Sequence, residues 1–132
     1  MQAGENNCVF CKIIRGEIPD YRFWENDHAI AFLGIEPKVP GHSLVVPKQH
    51  VPYIFDMTDQ NLSELMSATK IVAGKLKKFT GKDRVCVIVE GFAVPHVHVH
   101  LIPADNPEEF MSPALPGDKT VLADLQAKLK SD

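Results

Sequence analysis

His96-Val97-His98-Val99-His100-Leu101 sets three histidines in strict alternation with three aliphatic residues. Side chains of an extended strand point to opposite faces in turn, so this spacing places three imidazoles on one face and Val97, Val99 and Leu101 on the other, against a core. Same-face neighbours lie roughly 6.6 Å apart, close enough to act on one anionic group or to share a metal. An exposed polar face is the ordinary alternative, but three of the chain's six His at period two on a β-branched strand argue against it. Imidazole ligates metals, and with an unperturbed pKa of about 6.5 it can also be a neutral nucleophile or a cationic partner for phosphate.

The surrounding sequence reads as an α+β domain. Arg84–Glu90, an unbroken β-branched run, is expected to be a central strand that pairs antiparallel with His96–Ile102 across the short loop Gly91–Pro95, with Cys86 a small buried hydrophobe. Upstream, apolar residues from Leu62 to Phe79 recur at three-four spacing between Thr58 or Asp59 as a cap and Gly81 as a stop, giving one long helix over the sheet. Ser43–Val46 is a short strand ending at Pro47. Tyr21–Glu25 and Ala29–Leu33 form a hairpin turning near Asn26, and Trp24 packs in the core or at a dimer contact. Cys8–Arg15 is a short helix stopped by Gly16 and Pro19. Asn106–Lys119 reads as an irregular loop, and Val121–Leu129 as a last amphipathic helix.

Composition narrows the function. The 132 residues are 45% hydrophobic and 23% charged, enough for one core, so a single domain over 8–132 is expected, preceded by a polar, disordered stretch at 1–7. Lys plus Arg number 14 against 17 Asp plus Glu, a net charge of −3, which gives no basic footprint for nucleic acid. There is no secretory pattern and no apolar run of membrane-spanning length, so a cytoplasmic protein without a membrane partner is expected. In a reducing compartment the Cys8-x-x-Cys11 pair suggests metal or redox work, although two ordinary thiols on a helix turn remain the simpler reading. A tetrahedral zinc on these cysteines would need two His to complete it.

Three segments together resemble one family. They are Cys8-Val9-Phe10-Cys11-Lys12-Ile13-Ile14-Arg15-Gly16-Glu17-Ile18-Pro19, then Pro40-Gly41-His42-Ser43-Leu44-Val45-Val46-Pro47-Lys48-Gln49-His50, and the His-x-His-x-His stretch itself. In this order, over residues 8–103, they resemble the histidine triad (HIT) superfamily, in particular its Hint-like branch of nucleotide phosphoramidases. The resemblance implies an antiparallel sheet of about five strands with one long helix, and a homodimer that joins two sheets into one. It implies that His98 attacks phosphorus to form a nucleotidyl-histidine, while His100 and His42 contact the phosphate and help the leaving group. It assigns a structural zinc to Cys8, Cys11, His50 and His96, and a nucleobase pocket to Val9, Phe10, Ile13, Phe32 and Ile35. The substrate class it implies is a purine nucleotide cleaved at its α-phosphate, at a phosphorus–nitrogen or phosphoanhydride bond.

The chain departs from that pattern in two places. Gly34 stands where Hint-like members carry an Asp that holds the ribose hydroxyls, and Val89-Glu90-Gly91-Phe92-Ala93-Val94-Pro95 replaces a longer loop bearing phosphate-contacting side chains. Both changes weaken the expectation of a nucleoside substrate more than that of phosphorus chemistry. They also keep open a HIT module that binds a nucleotide or protein partner with little turnover. A catalytic metal held by all three triad histidines, with or without His42, is a further alternative.

Overall fold

The computed structural model describes residues 6–131. The stretch expected to be disordered lies outside them at 1–5, and Asn6 and Asn7 form an exposed turn. Chain order is α1 (Val9–Ile14), β1 (Tyr21–Glu25), β2 (Ala29–Leu33), β3 (Ser43–Pro47), α2 (Asp59–Thr80), β4 (Arg84–Ile88), β5 (Val99–Ala104), α3 (Pro107–Met111) and α4 (Lys119–Lys130). The strands form one antiparallel sheet in the order β1-β2-β3-β5-β4. This is the α+β architecture anticipated from the sequence.

Both faces of the sheet are covered. In β2 all five residues are buried, and their alternation divides them. Ala29, Ala31 and Leu33 face the core under α2 and α4, with Val45, Val99 and Leu101, while Ile30 and Phe32 face α1. From α2, Leu65, Ala68, Val72 and Leu76 close the first layer, and full burial of each larger side chain stabilises the fold by about 1.5–3 kcal/mol. Thr58 caps α2 by accepting from the Asn61 N–H, and Gly81 ends it at φ +70°, a conformation that disfavours a side chain. At the hairpin turn, Asn26 Oδ1 accepts from the N–H groups of His28 and Ala29.

Four expectations are corrected. β4 is an edge strand, and its Cys86 is half-buried while Val87 is 46% exposed, because only β5 pairs with it and β5 itself is paired on both sides. An unbroken apolar run did not distinguish a strand buried on two faces from one at the rim. β5 begins at Val99, so His96–His98 lie outside the ladder, with His96 at a bend where its N–H donates to the Val94 carbonyl, and the Val97 N–H donates to the Val51 carbonyl. Residues 107–111 form the short helix α3, capped by Asn106, where an irregular loop was expected. The last helix starts at Lys119, two residues early, since Asp118 accepts from the N–H groups of Thr120 and Val121.

Candidate active site and metal centre

Alternation along the triad segment does what the sequence implies, but the three imidazoles do not share one task. Val97, Val99 and Leu101 enter the core, and His96, His98 and His100 emerge on the α1 side. His96 is fully buried and turns to the start of α1. There its Nδ1 lies 3.3 Å from Cys8 Sγ, 3.5 Å from Cys11 Sγ and 3.1 Å from His50 Nδ1, and Cys11 Sγ is 3.3 Å from His50 Nδ1. The four side chains are held in place by their neighbours. Cys8 caps α1, its sulfur accepting from the Cys11 N–H, and His50 lies three residues after Pro47, the last residue of β3.

These residues suit a metal. His96 Nε2 is 2.9 Å from the Pro47 carbonyl, which can only accept, so Nε2 carries the proton and Nδ1 offers its lone pair to the cluster. Burial, opposed by the Pro47 bond and helped by His50 and His98, lowers the His96 pKa to about 4. Tetrahedral zinc with bonds of about 2.0–2.3 Å has donor–donor edges of roughly 3.3–3.8 Å, close to the separations seen here. A lone pair aimed at two thiols and a second imidazole makes a donor set that could hold a metal ion. The convergence of four donors favours the metal reading of Cys8 and Cys11 over that of two ordinary thiols.

His98, His100 and His42 form a second group. His98 Nδ1 lies 2.7 Å from the His96 carbonyl and therefore donates to it, which leaves the lone pair of the neutral ring on Nε2. Phe10 packs against this ring with centroids 4.8 Å apart. Next to it, the Lys38 backbone N–H donates to His42 Nδ1 at 3.0 Å, so His42 carries its proton on Nε2. That proton points to His100 Nδ1, 3.0 Å away, and His100 in turn must bear its own proton on Nε2. Two adjacent imidazoles thus present opposite faces, a lone pair from His98 and an N–H from His100. Burial is the main cause of the lowered pKa of His42, at about 4, and of His100; for His42, His100 and Lys38 add to it, and for His100, His98 does. The neutral forms of His42 and His100 are favoured; His96 turns to the cysteines, whereas His98 and His100 together with Glu90 form a second group of possible metal ligands.

Of the residues expected to line a base pocket, Phe10, Ile13 and Phe32 pack together with Ile30 and Val46. Val9 is 37% exposed and borders a cavity with Cys8, His50, Val94 and Pro95, whereas Ile35 is 67% exposed, its carbonyl accepting from the Gly117 N–H. Glu90 was assigned no role from sequence. Its Oε2 lies 4.0 Å from both His98 Nε2 and His100 Nε2, and its Oε1 accepts from the Phe92 N–H. The pairing carries part of the signal: the last β4–β5 pair is Ile88 with His100, and Glu90 follows two residues later, just beyond the ladder. Reading it required the pairing, not the composition of the loop.

Sheet, covering helices and strand-borne imidazoles together define an α+β protein of the histidine-triad kind. The HIT domain family model matches residues 15–107, and the chain belongs to that family. It is 34% identical over 120 residues to an adenosine 5′-monophosphoramidase of Saccharomyces cerevisiae, covering 86% of this chain and 72% of that protein. It is 35% identical over 104 residues to an adenylylsulfatase of Arabidopsis thaliana, covering 75% of this chain but only 53% of the longer relative. Among solved structures, a HIT-like protein of Bartonella henselae superposes with a TM-score of 0.85 at 32% identity, over 98% of each chain.

Proposed function

We propose that the protein is a HIT-type nucleotide hydrolase or nucleotidyl transferase that cleaves a phosphorus–nitrogen or phosphoanhydride bond at the α-phosphate of a purine nucleotide. The observation that carries this reading is the opposite protonation of the two neighbouring Nε2 atoms. Relatives named as an adenosine 5′-monophosphoramidase and an adenylylsulfatase support the same coarse class.

His98 Nε2 is the nucleophile. Its lone pair forms a bond to the α-phosphorus while the bond to the leaving group breaks, the pair departing with that group. The nucleotidyl-His98 ring then holds positive charge, stabilised by its Nδ1–H on the His96 carbonyl. The His100 Nε2–H donates to a phosphoryl oxygen, and His42 holds His100 in the tautomer that can do so. Water next attacks phosphorus and loses a proton to solvent, and the pair of the phosphorus–nitrogen bond returns to His98 Nε2. Phe10, Ile13 and Phe32 face the base, with Val9 and Ile35 at its exposed margins.

Cys8, Cys11, His50 and His96 would hold a structural zinc, and as ligands from both segments they would tie α1 to the triad segment, leaving the phosphorus chemistry to the other imidazoles. Edge strand β4, with Val87 exposed, is the surface on which a second copy continues the sheet, forming the homodimer. A cytoplasmic setting suits three cysteines that form no disulfide. Among the described residues no helix is long and apolar enough to cross a membrane.

The test is hydrolysis of adenosine 5′-phosphoramidate by the protein and by His98→Ala. Turnover by the former, abolished in the variant together with acid-trapped phosphorus on the chain, is expected. Turnover that survives His98→Ala would overturn the assignment of the nucleophile. A binding role without turnover would instead show nucleotide affinity and no product from either protein.

A further inference from the structure

A carboxylate is out of place beside two imidazoles that work on phosphate, since it repels the phosphoryl oxygens. Glu90 is nevertheless held there. Its Oε1 accepts from the Phe92 N–H, its Oε2 stands 4.0 Å from both catalytic Nε2 atoms, and Gly91 at φ +77° forms the turn that returns the chain toward Pro95. Such a charge favours a cation in the space it faces.

The tautomers say which atom that cation is. A phosphoramidate nitrogen leaves only when protonated, because an amide anion is too basic to depart. His100 is poorly placed to supply the proton. Its Nδ1 already receives the His42 Nε2–H, His42 Nδ1 is committed to the Lys38 N–H, and loss of the His100 Nε2 proton would leave an imidazolate. The nitrogen must therefore be protonated as bound, as N–H2+ or N–H3+ on phosphorus, with the proton drawn from solvent. In line with His98 Nε2 and phosphorus, a leaving atom lies about 5 Å from Nε2. For a leaving atom on the Glu90 side of the ring, a carboxylate 4.0 Å from that same Nε2 is within reach of a hydrogen bond.

We propose that Glu90 selects the leaving group: it binds the protonated nitrogen of a phosphoramidate and disfavours leaving groups that depart as anions, such as sulfate. This rests on the phosphorus-transfer reading of the site and narrows it from two bond types to one. In the step, the His98 Nε2–phosphorus bond forms and the phosphorus–nitrogen bond breaks. The electron pair stays on the nitrogen, which leaves as a neutral amine or ammonia from its protonated state, so no other acid is consumed. An anhydride or sulfate leaving group needs no proton, and meets only the repulsion of Glu90.

The experiment compares kcat/KM for adenosine 5′-phosphoramidate and adenylyl sulfate in the unsubstituted protein, Glu90→Gln and Glu90→Ala. Gln keeps the shape and the acceptor for the Phe92 N–H, and removes the charge. The unsubstituted protein is expected to prefer the phosphoramidate. Both variants should lower the phosphoramidate-to-sulfate ratio at least tenfold, through slower phosphoramidate and faster sulfate cleavage. Turnover of both substrates with an unchanged ratio in the variants overturns the selection by Glu90 and leaves the reaction class standing. Failure of the unsubstituted protein to cleave either substrate overturns the reading of the site, and the role of Glu90 with it.

Discussion

His42 Nε2 and His100 Nδ1 stand 3.0 Å apart across the β3–β5 pair, and the direction of that hydrogen bond is dictated from outside, by the Lys38 backbone N–H on the far nitrogen of His42. A main-chain donor cannot change its role with pH. The fold thereby assigns one proton position to each ring, and protonation of His42 would break the bond that sets it.

Stability should follow this. Burial, with His100 and Lys38, lowers the His42 pKa from 6.5 to about 4, so between these values the unfolded chain binds more protons than the folded one. The contribution of neutral His42 is complete above about pH 6.5 and is lost as pH falls to about 4, on the order of 3 kcal/mol. Denaturant unfolding at pH 7 and pH 4.5 should show a smaller difference for His42→Gln than for the unsubstituted protein. Equal differences would mean that His42 is not held neutral by the fold.

Metal analysis of protein purified without chelators should give about one zinc per chain, and Cys11→Ser should reduce it to near none. Because ligand binding to the folded form alone stabilises it, loss of the metal should also lower stability by several kcal/mol. Chelation should lower the melting temperature of the unsubstituted protein while leaving that of Cys11→Ser unmoved. Full zinc content in Cys11→Ser would remove this cluster as the site.

The rim of the sheet makes a third prediction. Light scattering should give twice the chain mass, and Val87→Lys, which sets a charge on the exposed side of β4, should reduce it to that of one chain with the fold intact by circular dichroism. A dimer that tolerates Val87→Lys would place its interface elsewhere.

The sequence by itself determined the local geometry. Period-two alternation sent Val97, Val99 and Leu101 inward and the histidines outward, because successive strand side chains have no other choice. Thr58 and Gly81 bounded the long helix for equally local reasons, and the order of the Cys, His42–His50 and triad segments was enough to indicate the family. What needed the tertiary structure was every relation between distant segments. Equivalent positions at 96, 98 and 100 were given different surroundings only by what lies opposite each: two sulfurs at the start of α1, the His96 carbonyl, and His42. The same holds for β4, whose apolar residues cannot encode whether a strand pairs on one side or two. It holds most for Glu90, a loop carboxylate in sequence, which stands beside His98 and His100 just beyond the last β4–β5 pair, because chain pairing, not composition, decides which charges meet.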